Sequence, residues 1–333
     1  MRPGLASGGD ALVLGVDIGG TKIAAGLVDA TGEVVSCSVR PTPVADARAV
    51  LEAVCELRDD LDGRGFGAGA AIGVAAAGLV NASGTRVAFA PNIPSWRDEP
   101  FADRLAARTG LPVVIENDAN AAGWAEARFG AGQGHRHQTC VTVGTGIGGA
   151  VIVDGALVRG HAGYGGEIGH MIVQPAGQSC SCGSRGCWEA YASGSAITQR
   201  ARTMAAQCPG DTMLGDLVDG NLDALTGAHV LRAAQAGDAA ALAAYREGGT
   251  WLGAGLAALA TVLDTGLFVI AGGAAAAGDL LLAPARGELQ RLVVAAATRQ
   301  MPEVVVGDLG GEAGIVGAAA LARNRLSPGT AVG

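Results

Sequence analysis

The chain has 333 residues, 49% hydrophobic and only 4% aromatic, with a formal net charge of -8. That length predicts two domains with cores of Ala, Val, Leu and Gly, and the acidic balance excludes a general nucleic-acid surface, because phosphate backbones are bound by surplus Lys and Arg. Lys22 is the only lysine. The arginine-heavy, lysine-poor usage is a compositional bias and carries no functional reading.

Met1 to Asp10 is Gly-rich and polar, without the apolar run of a signal peptide, so a cytoplasmic protein is expected. Residues 11–40 then read as two short strands, ALVLGVD and IAAGLVD, joined at a Gly19-Gly20-Thr21 tip, with GEVVSCSVR as a third strand and Cys37 as a core thiol. Glycines at such a tip let backbone N-H groups approach an anion, the Thr21 hydroxyl adds a donor, and Asp17 at the end of the first strand is placed to hold Mg2+ through water. An ordinary glycine-tipped hairpin accounts for the same residues taken alone. A Walker A loop is excluded, since it needs Gly-Lys-Ser/Thr and Lys22 is followed by Ile23.

Val44 to Leu61 has helical periodicity, with Val50, Val54, Leu57 and Leu61 on one face. Ala70 to Val74 is the next buried strand, followed by Gly78, where the backbone can come close to a ligand. PNIPSW, residues 91–96, is a proline-punctuated loop. PVVIE then runs directly into Asn117-Asp118 and a helix. Asn and Asp at that junction serve equally as N-caps or as a general base at the carboxyl end of a strand, where open sheets bind ligands.

QTCVTVGTGIGGAVIVDGALV repeats the first hairpin's logic, with a tip at Gly144-Thr145-Gly146. Two glycine-tipped, hydroxyl-bearing hairpins can clamp a polyphosphate. His135 and His137 lie in a polar loop before it. Residues 161–194, HAGYGGEIGHMIVQPAGQSCSCGSRGCWEAYASG, bring Cys180, Cys182 and Cys187 close in sequence, with His170 upstream. This is the donor set of a Cys3His zinc site, and Gly183 and Gly186 allow the turn that converges it. A disulfide plus a spare thiol is the alternative, disfavoured in a large chain without an export signal. Glu167 and Glu189 flank the ligands as free carboxylates, and the second ring nitrogen of His170 is left to donate to a substrate hydroxyl.

Ser195 to Gln207 and Ala239 to Leu263 read as helices, the second nearly apolar. The most apolar stretch, Trp251 to Ala277, is broken by Asp264 and glycines, so a buried helix and strand are expected rather than a membrane span. LFVIAGGAAAAGDLLL is a strand, a turn at Gly272-Gly273 and a helix start. EVVVGD is a last strand, and GEAGIVGAAALAR a helix that packs back on the N-terminal domain.

DIGGTKIAAGLVD, ENDANAA, VTVGTGIGGA, GGEIGHM and SCSCGSRGCWEAYASG, in this order, resemble the ROK family, and within it the zinc-containing bacterial glucokinases, from Leu12 to about Arg323. The resemblance implies an α/β chain with the two-domain, actin-like (ribonuclease H-like) ATPase fold and a sugar cleft between the domains. It divides the chain into a small N-terminal domain, 11–120, completed by a helix at about 312–325, and a large domain, 121–311, with the zinc loop. It makes Asp118 the catalytic base, maps the sugar ligands onto Gly78, Asn117, Asp118, Glu167, His170 and Glu189, and the zinc ligands onto His170, Cys180, Cys182 and Cys187. Phosphate and nucleotide contacts fall to Asp17, Gly19, Gly20, Thr21, Lys22, Gly144, Thr145, Gly146, Gly272 and Gly273. Ala274 and Gly311 depart from the family pattern, where Gly and Asn are usual.

The implied activity is ATP-dependent phosphorylation of glucose at its 6-hydroxyl, with ATP, Mg2+ and a structural Zn2+, by a homo-oligomer, a dimer or tetramer, without nucleic-acid or membrane partners. The alternatives are another hexose (N-acetylmannosamine, N-acetylglucosamine or fructose), polyphosphate as donor, and a sugar-sensing regulator. The family's repressors carry a helix-turn-helix domain before the first hairpin, and the roughly ten residues here are too few for its three helices.

Overall fold

The computed structural model describes residues 11–67, 69–208 and 210–326. They form two compact units: the first holds the chain up to Arg136, Ala150–Gly166 and the chain from Asp308 on; the second holds His137–Gly149 and Glu167–Gly307.

In the first unit, β1 (Val13–Ile18) and β2 (Lys22–Val28) form the expected antiparallel hairpin, and β3 (Val34–Pro41) pairs with β2. Cys37 is exposed rather than a core thiol. β3 is the edge strand, so its alternation meets solvent where that of β1 meets the core. Helix α1 (Ala47–Leu61) starts later than periodicity implied, because Asp46 accepts from the Arg48 N-H and caps it. It buries Val50, Val54, Leu57 and Leu61.

β4 (Ile72–Ala76), wholly buried, lies parallel to β1. Three very short strands, β5 (Leu79–Val80), β6 (Val87–Phe89) and β7 (Arg97–Glu99), make a separate small sheet that the sequence reading missed. Helix α2 (Phe101–Thr109) ends at Gly110 in the left-handed conformation. β8 (Val113–Asn117), parallel to β4, leads straight into α3 (Asp118–Phe129), and the sheet order is β3-β2-β1-β4-β8.

The chain continues through β9 (Gln138–Val143), β10 (Ile147–Val153) and β11 (Ala156–Leu157). In the second unit come helices α4 (Glu189–Ala192), α5 (Gly194–Gln207), α6 (Gly227–Gln235) and α7 (Ala239–Leu263). β12 (Leu267–Ala271), α8 (Asp279–Leu292) and β13 (Glu303–Val306) follow, with β12 parallel to both β9 and β13. The sheet order is β11-β10-β9-β12-β13. Among the described residues, no helix is long and apolar enough to cross a membrane.

Helix α9 (Ala313–Leu326) returns to the first unit and lies directly on its sheet. Gly15 and Gly73 make this possible: a Cβ on either would collide with the backbone carbonyls of Ile315 and Ala318. Gly317 faces the Ala121 carbonyl equally closely, so α3 is packed on α9. This packing accompanies the placement of α3 in the first unit, whose first segment runs to Arg136.

Candidate active site

The expected residues fall into two groups, one in each unit. In the first unit, strand register lines up Ile18 with Ala76 and Ala76 with Asn117, so Asp17, Gly78 and Asn117-Asp118 share the carboxyl edge of β1, β4 and β8. This is the edge where open parallel sheets bind ligands. At the hairpin tip the Gly19 N-H donates to the Lys22 carbonyl at 3.0 Å and the Thr42 hydroxyl donates to the Gly19 carbonyl at 2.7 Å. A Cβ on Gly20 would stand 2.7 Å from Cβ of Asn92, so the close approach permitted here is to the PNIPSW loop. Thr21 and Lys22 are exposed. Burial pushes the Asp17 carboxyl above its ordinary value, opposed by the Lys22 ammonium. A cation placed there would favour the carboxylate, so the group fits the outer shell of a hydrated Mg2+.

Asn117 ends β8 and caps α3. Its Oδ1 accepts from the Asn120 N-H at 3.0 Å, and its Nδ2 donates to the Gly78 carbonyl at 3.1 Å. Gly78 itself is pressed against the backbone of Phe89 and Ala90, which a Cβ would strike. Its glycine serves packing against β6, and its carbonyl holds the Asn117 side chain. Asp118 is half-buried, with Oδ1 accepting from the Ala119 N-H at 2.9 Å.

In the second unit, Thr142 pairs with Ala271, so the tips that follow β9 and β12 lie at the same carboxyl edge. The Gly144 N-H donates to the Gly146 carbonyl at 3.0 Å, and the Gly194 N-H, at the start of α5, donates to the Gly144 carbonyl at 2.8 Å. Thr145 is exposed. Gly272 has φ 85°, a left-handed value that suits glycine, and a Cβ there would strike the Val143 backbone, whereas one on Gly273 would face open space. Cβ of Ala274 lies 3.7 Å from where a Cβ on Gly194 would stand, so the two positions are neighbours. Gly311 has nothing within 4 Å of a built Cβ.

The sulfur atoms of Cys180, Cys182 and Cys187 and a ring nitrogen of His170 all lie within 4.8 Å of one another. Cys182 and Cys187 sulfurs are 3.7 Å apart, too far for a disulfide, and Cys180 Sγ is 3.7 Å from His170 Nδ1. A tetrahedron with metal–sulfur bonds of ~2.3 Å has edges of about 3.8 Å, so the spacing fits a Zn2+-sized ion. Burial and the adjoining Glu189 carboxylate push the Cys180 thiol up to about 12, while the Ser184 N-H draws Cys182 down to about 7. Thiols this close resist ionising together, and a divalent cation would let all three do so.

The loop is also held by groups other than its cysteines. Gly183 and Gly186 have φ of 92° and 83°. The Gln178 N-H donates to the Tyr191 hydroxyl at 2.6 Å, the Tyr191 ring packs on Trp251 with centroids 4.4 Å apart, and the Trp188 indole donates to the Trp251 carbonyl at 2.7 Å.

Around the cluster, His170 Nε2 is 4.0 Å from Glu167 Oε2 and its Nδ1 is 3.8 Å from Glu189 Oε1. Burial pushes the Glu167 carboxyl up, His170 draws it down, and Glu189 raises it again. Glu189 Oε2 also accepts from the Ile147 N-H at 3.4 Å and stands 2.5 Å from a Cβ built on Gly146. The second glycine hairpin is therefore packed against the cysteine loop.

Sequence reasoning missed Glu116 and Arg159. Buried Glu116 accepts from the Asn117 N-H, the Asn120 amide and Arg159 Nε, and Arg159 lies 43 residues away in the chain.

A model of the ROK family matches residues 13–325. A glucokinase of Streptomyces coelicolor is 46% identical over 315 residues, which cover 94% of this chain and 98% of that protein. Among solved structures, a ROK family glucokinase from Streptomyces griseus in complex with glucose and AMPPNP is 45% identical, with a TM-score of 0.86 and coverage of 94% of this chain and 99% of its own. A ROK hexokinase from Thermus thermophilus is 36% identical, with a TM-score of 0.77 over 96% of this chain and 100% of its own.

Proposed function

The chain belongs to the ROK family of actin-like sugar kinases, and on that premise we propose that it is a glucokinase, transferring the terminal phosphoryl group of ATP to the 6-hydroxyl of glucose. The observation that carries this reading is the junction of β8 and α3. Asn117 caps the helix there with one lone pair of its Oδ1, and Asp118 stands beside it at the carboxyl edge of the sheet, half-buried. Asp118 takes the proton from the sugar hydroxyl as its oxygen attacks the γ-phosphorus. Such a base contributes ~10^2 to 10^4-fold, with positioning and charge neutralisation supplying most of the rest.

A sugar offers many hydroxyls and little apolar surface. Gly78, Asn117, Glu167, His170 and Glu189 bind them, and polar groups left without a partner penalise an analogue lacking a hydroxyl. Gly19, Gly20, Thr21, Lys22, Gly144, Thr145 and Gly146 hold the phosphates, with Gly272 and Gly273 at the adenosine. Asp17 would hold Mg2+ through water, an ion that would supply neutralisation of the charge developing on the phosphates. His170, Cys180, Cys182 and Cys187 would hold a structural Zn2+, which would fix the loop between Glu167 and Glu189. The proposal includes a cytoplasmic location and assembly into a dimer or tetramer, as the family resemblance implies.

The test is ADP release from Mg-ATP across glucose, fructose, N-acetylmannosamine, N-acetylglucosamine and 6-deoxyglucose, with polyphosphate as a second donor. Glucose is expected to exceed every other sugar in kcat/KM by about tenfold or more, and 6-deoxyglucose, which lacks the attacking hydroxyl, to give no turnover. A different preferred hexose would overturn the glucose assignment, and silence with all sugars would overturn the enzyme reading.

A further inference from the structure

We propose that Arg159 is a positioning residue for phosphoryl transfer, acting through Glu116 on Asn117 and on the helical turn that carries Asp118; the inference rests on the kinase reading above. Glu116 is the residue before Asn117, its side chain only 7% exposed, and it divides its two oxygens between two tasks. Oε1 accepts from the Asn117 N-H at 3.0 Å and from the Asn120 side-chain amide at 3.1 Å. Oε2 accepts from Arg159 Nε at 2.6 Å.

A buried carboxylate is tolerated when a cation compensates it and its lone pairs are used. Arg159 supplies that charge. With it in place, Glu116 fixes both ends of the cap: the N-H of Asn117 and the side chain of Asn120, whose own N-H is the donor that Asn117 caps. The orientation of the Asn117 amide, which also bonds the Gly78 carbonyl, then depends on a charge one residue away. Asp118 is the first residue of the same turn.

Arg159 is itself anchored in the segment that leads to Glu167. The Gly165 N-H donates to its carbonyl at 2.8 Å, and the Ala82 N-H donates to the Ala162 carbonyl at 3.0 Å. Gly163 sits so tightly on the backbone of residues 80–82 that a Cβ would collide with it. The ion pair therefore ties the stretch that precedes Glu167 and His170 to the strand end that presents Asn117 and Asp118. Groups that orient a reacting constellation without touching substrate commonly alter activity about 10- to 100-fold when lost, because misplacement by a fraction of an ångström is costly.

The experiment compares Arg159→Met, Arg159→Lys, Glu116→Gln and the Glu116→Gln/Arg159→Met pair with wild type. It reads kcat, KM for glucose, KM for ATP and thermal midpoint. Arg159→Met is expected to lower kcat ~10- to 100-fold and raise the glucose KM several-fold, with the ATP KM within about twofold. Arg159→Lys, which keeps the charge, should recover part of that loss. The double variant should lose no more than Arg159→Met alone, because both changes act along one path. Three results would overturn the inference alone: a lowered midpoint with unchanged kcat and glucose KM, no recovery in Arg159→Lys, or additive losses in the double variant. Absence of turnover in the wild type would overturn the kinase reading, and this inference with it.

Discussion

Glu126 shows how much a single side chain can hold without touching substrate. It is fully buried, and its carboxylate accepts from the N-H groups of Ala131, Asp308 and Leu309 at 3.1, 3.0 and 2.9 Å. These donors end α3 and begin the approach to α9, so one carboxylate stitches together segments more than 180 residues apart. Glu126→Ala would leave three donors unpaired, and at ~1–3 kcal/mol for each buried orphan the loss should reach about 3 kcal/mol or more in urea unfolding. A loss under ~1 kcal/mol would mean water replaces the carboxylate. The sequence made the glycines, Asn117-Asp118 and the Cys3His set readable because each is a local pattern whose chemistry lies within a few residues. Glu116, Glu126 and Arg159 are not readable in this way, since their partners are brought in by tertiary folding and any Glu or Arg on an amphipathic element looks alike.

Among the elements, α7 was legible to its ends, Ala239 to Leu263, because a long apolar period is bounded by Asp238 before it and Asp264 after it. The three strands of β5–β7 were not, being two or three residues long, below the length at which alternation is a signal. Asp238 also explains how the irregular chain before α6 is pinned. Its Oδ2 accepts from the Thr212 hydroxyl and the Met213 N-H at 2.7 and 2.8 Å, while Oδ1 caps α7 through the Ala241 N-H at 2.9 Å. Partial burial pushes this carboxyl up, but those donors outweigh it and hold the group below its ordinary value. A depressed folded value gives stability that is present above the unfolded value of ~3.9 and lost as pH falls through the folded one. Asp238→Ala should therefore cost ~0.5–2 kcal/mol at pH 7, with the gap to wild type closing below about pH 4. A gap of the same size at pH 3 and pH 7 would show that the charge is immaterial.

At the scale of the molecule, the family fold could be read from the order of five motifs, whereas the limits of the compact units could not. The chain enters the second unit at His137, returns at Ala150, leaves again at Glu167 and comes back at Asp308, and no composition shift marks these crossings. The role of Asp118 is tested by the turnover of Asp118→Asn beside wild type, with Mg-ATP and glucose, together with glucose affinity by calorimetry. Asn keeps the size and the acceptor for the Ala119 N-H but cannot take a proton. A fall in kcat of ~10^2-fold or more is expected, with glucose affinity held within about tenfold. A variant that turns over glucose within a few-fold of wild type would contradict the assignment of Asp118 as the base.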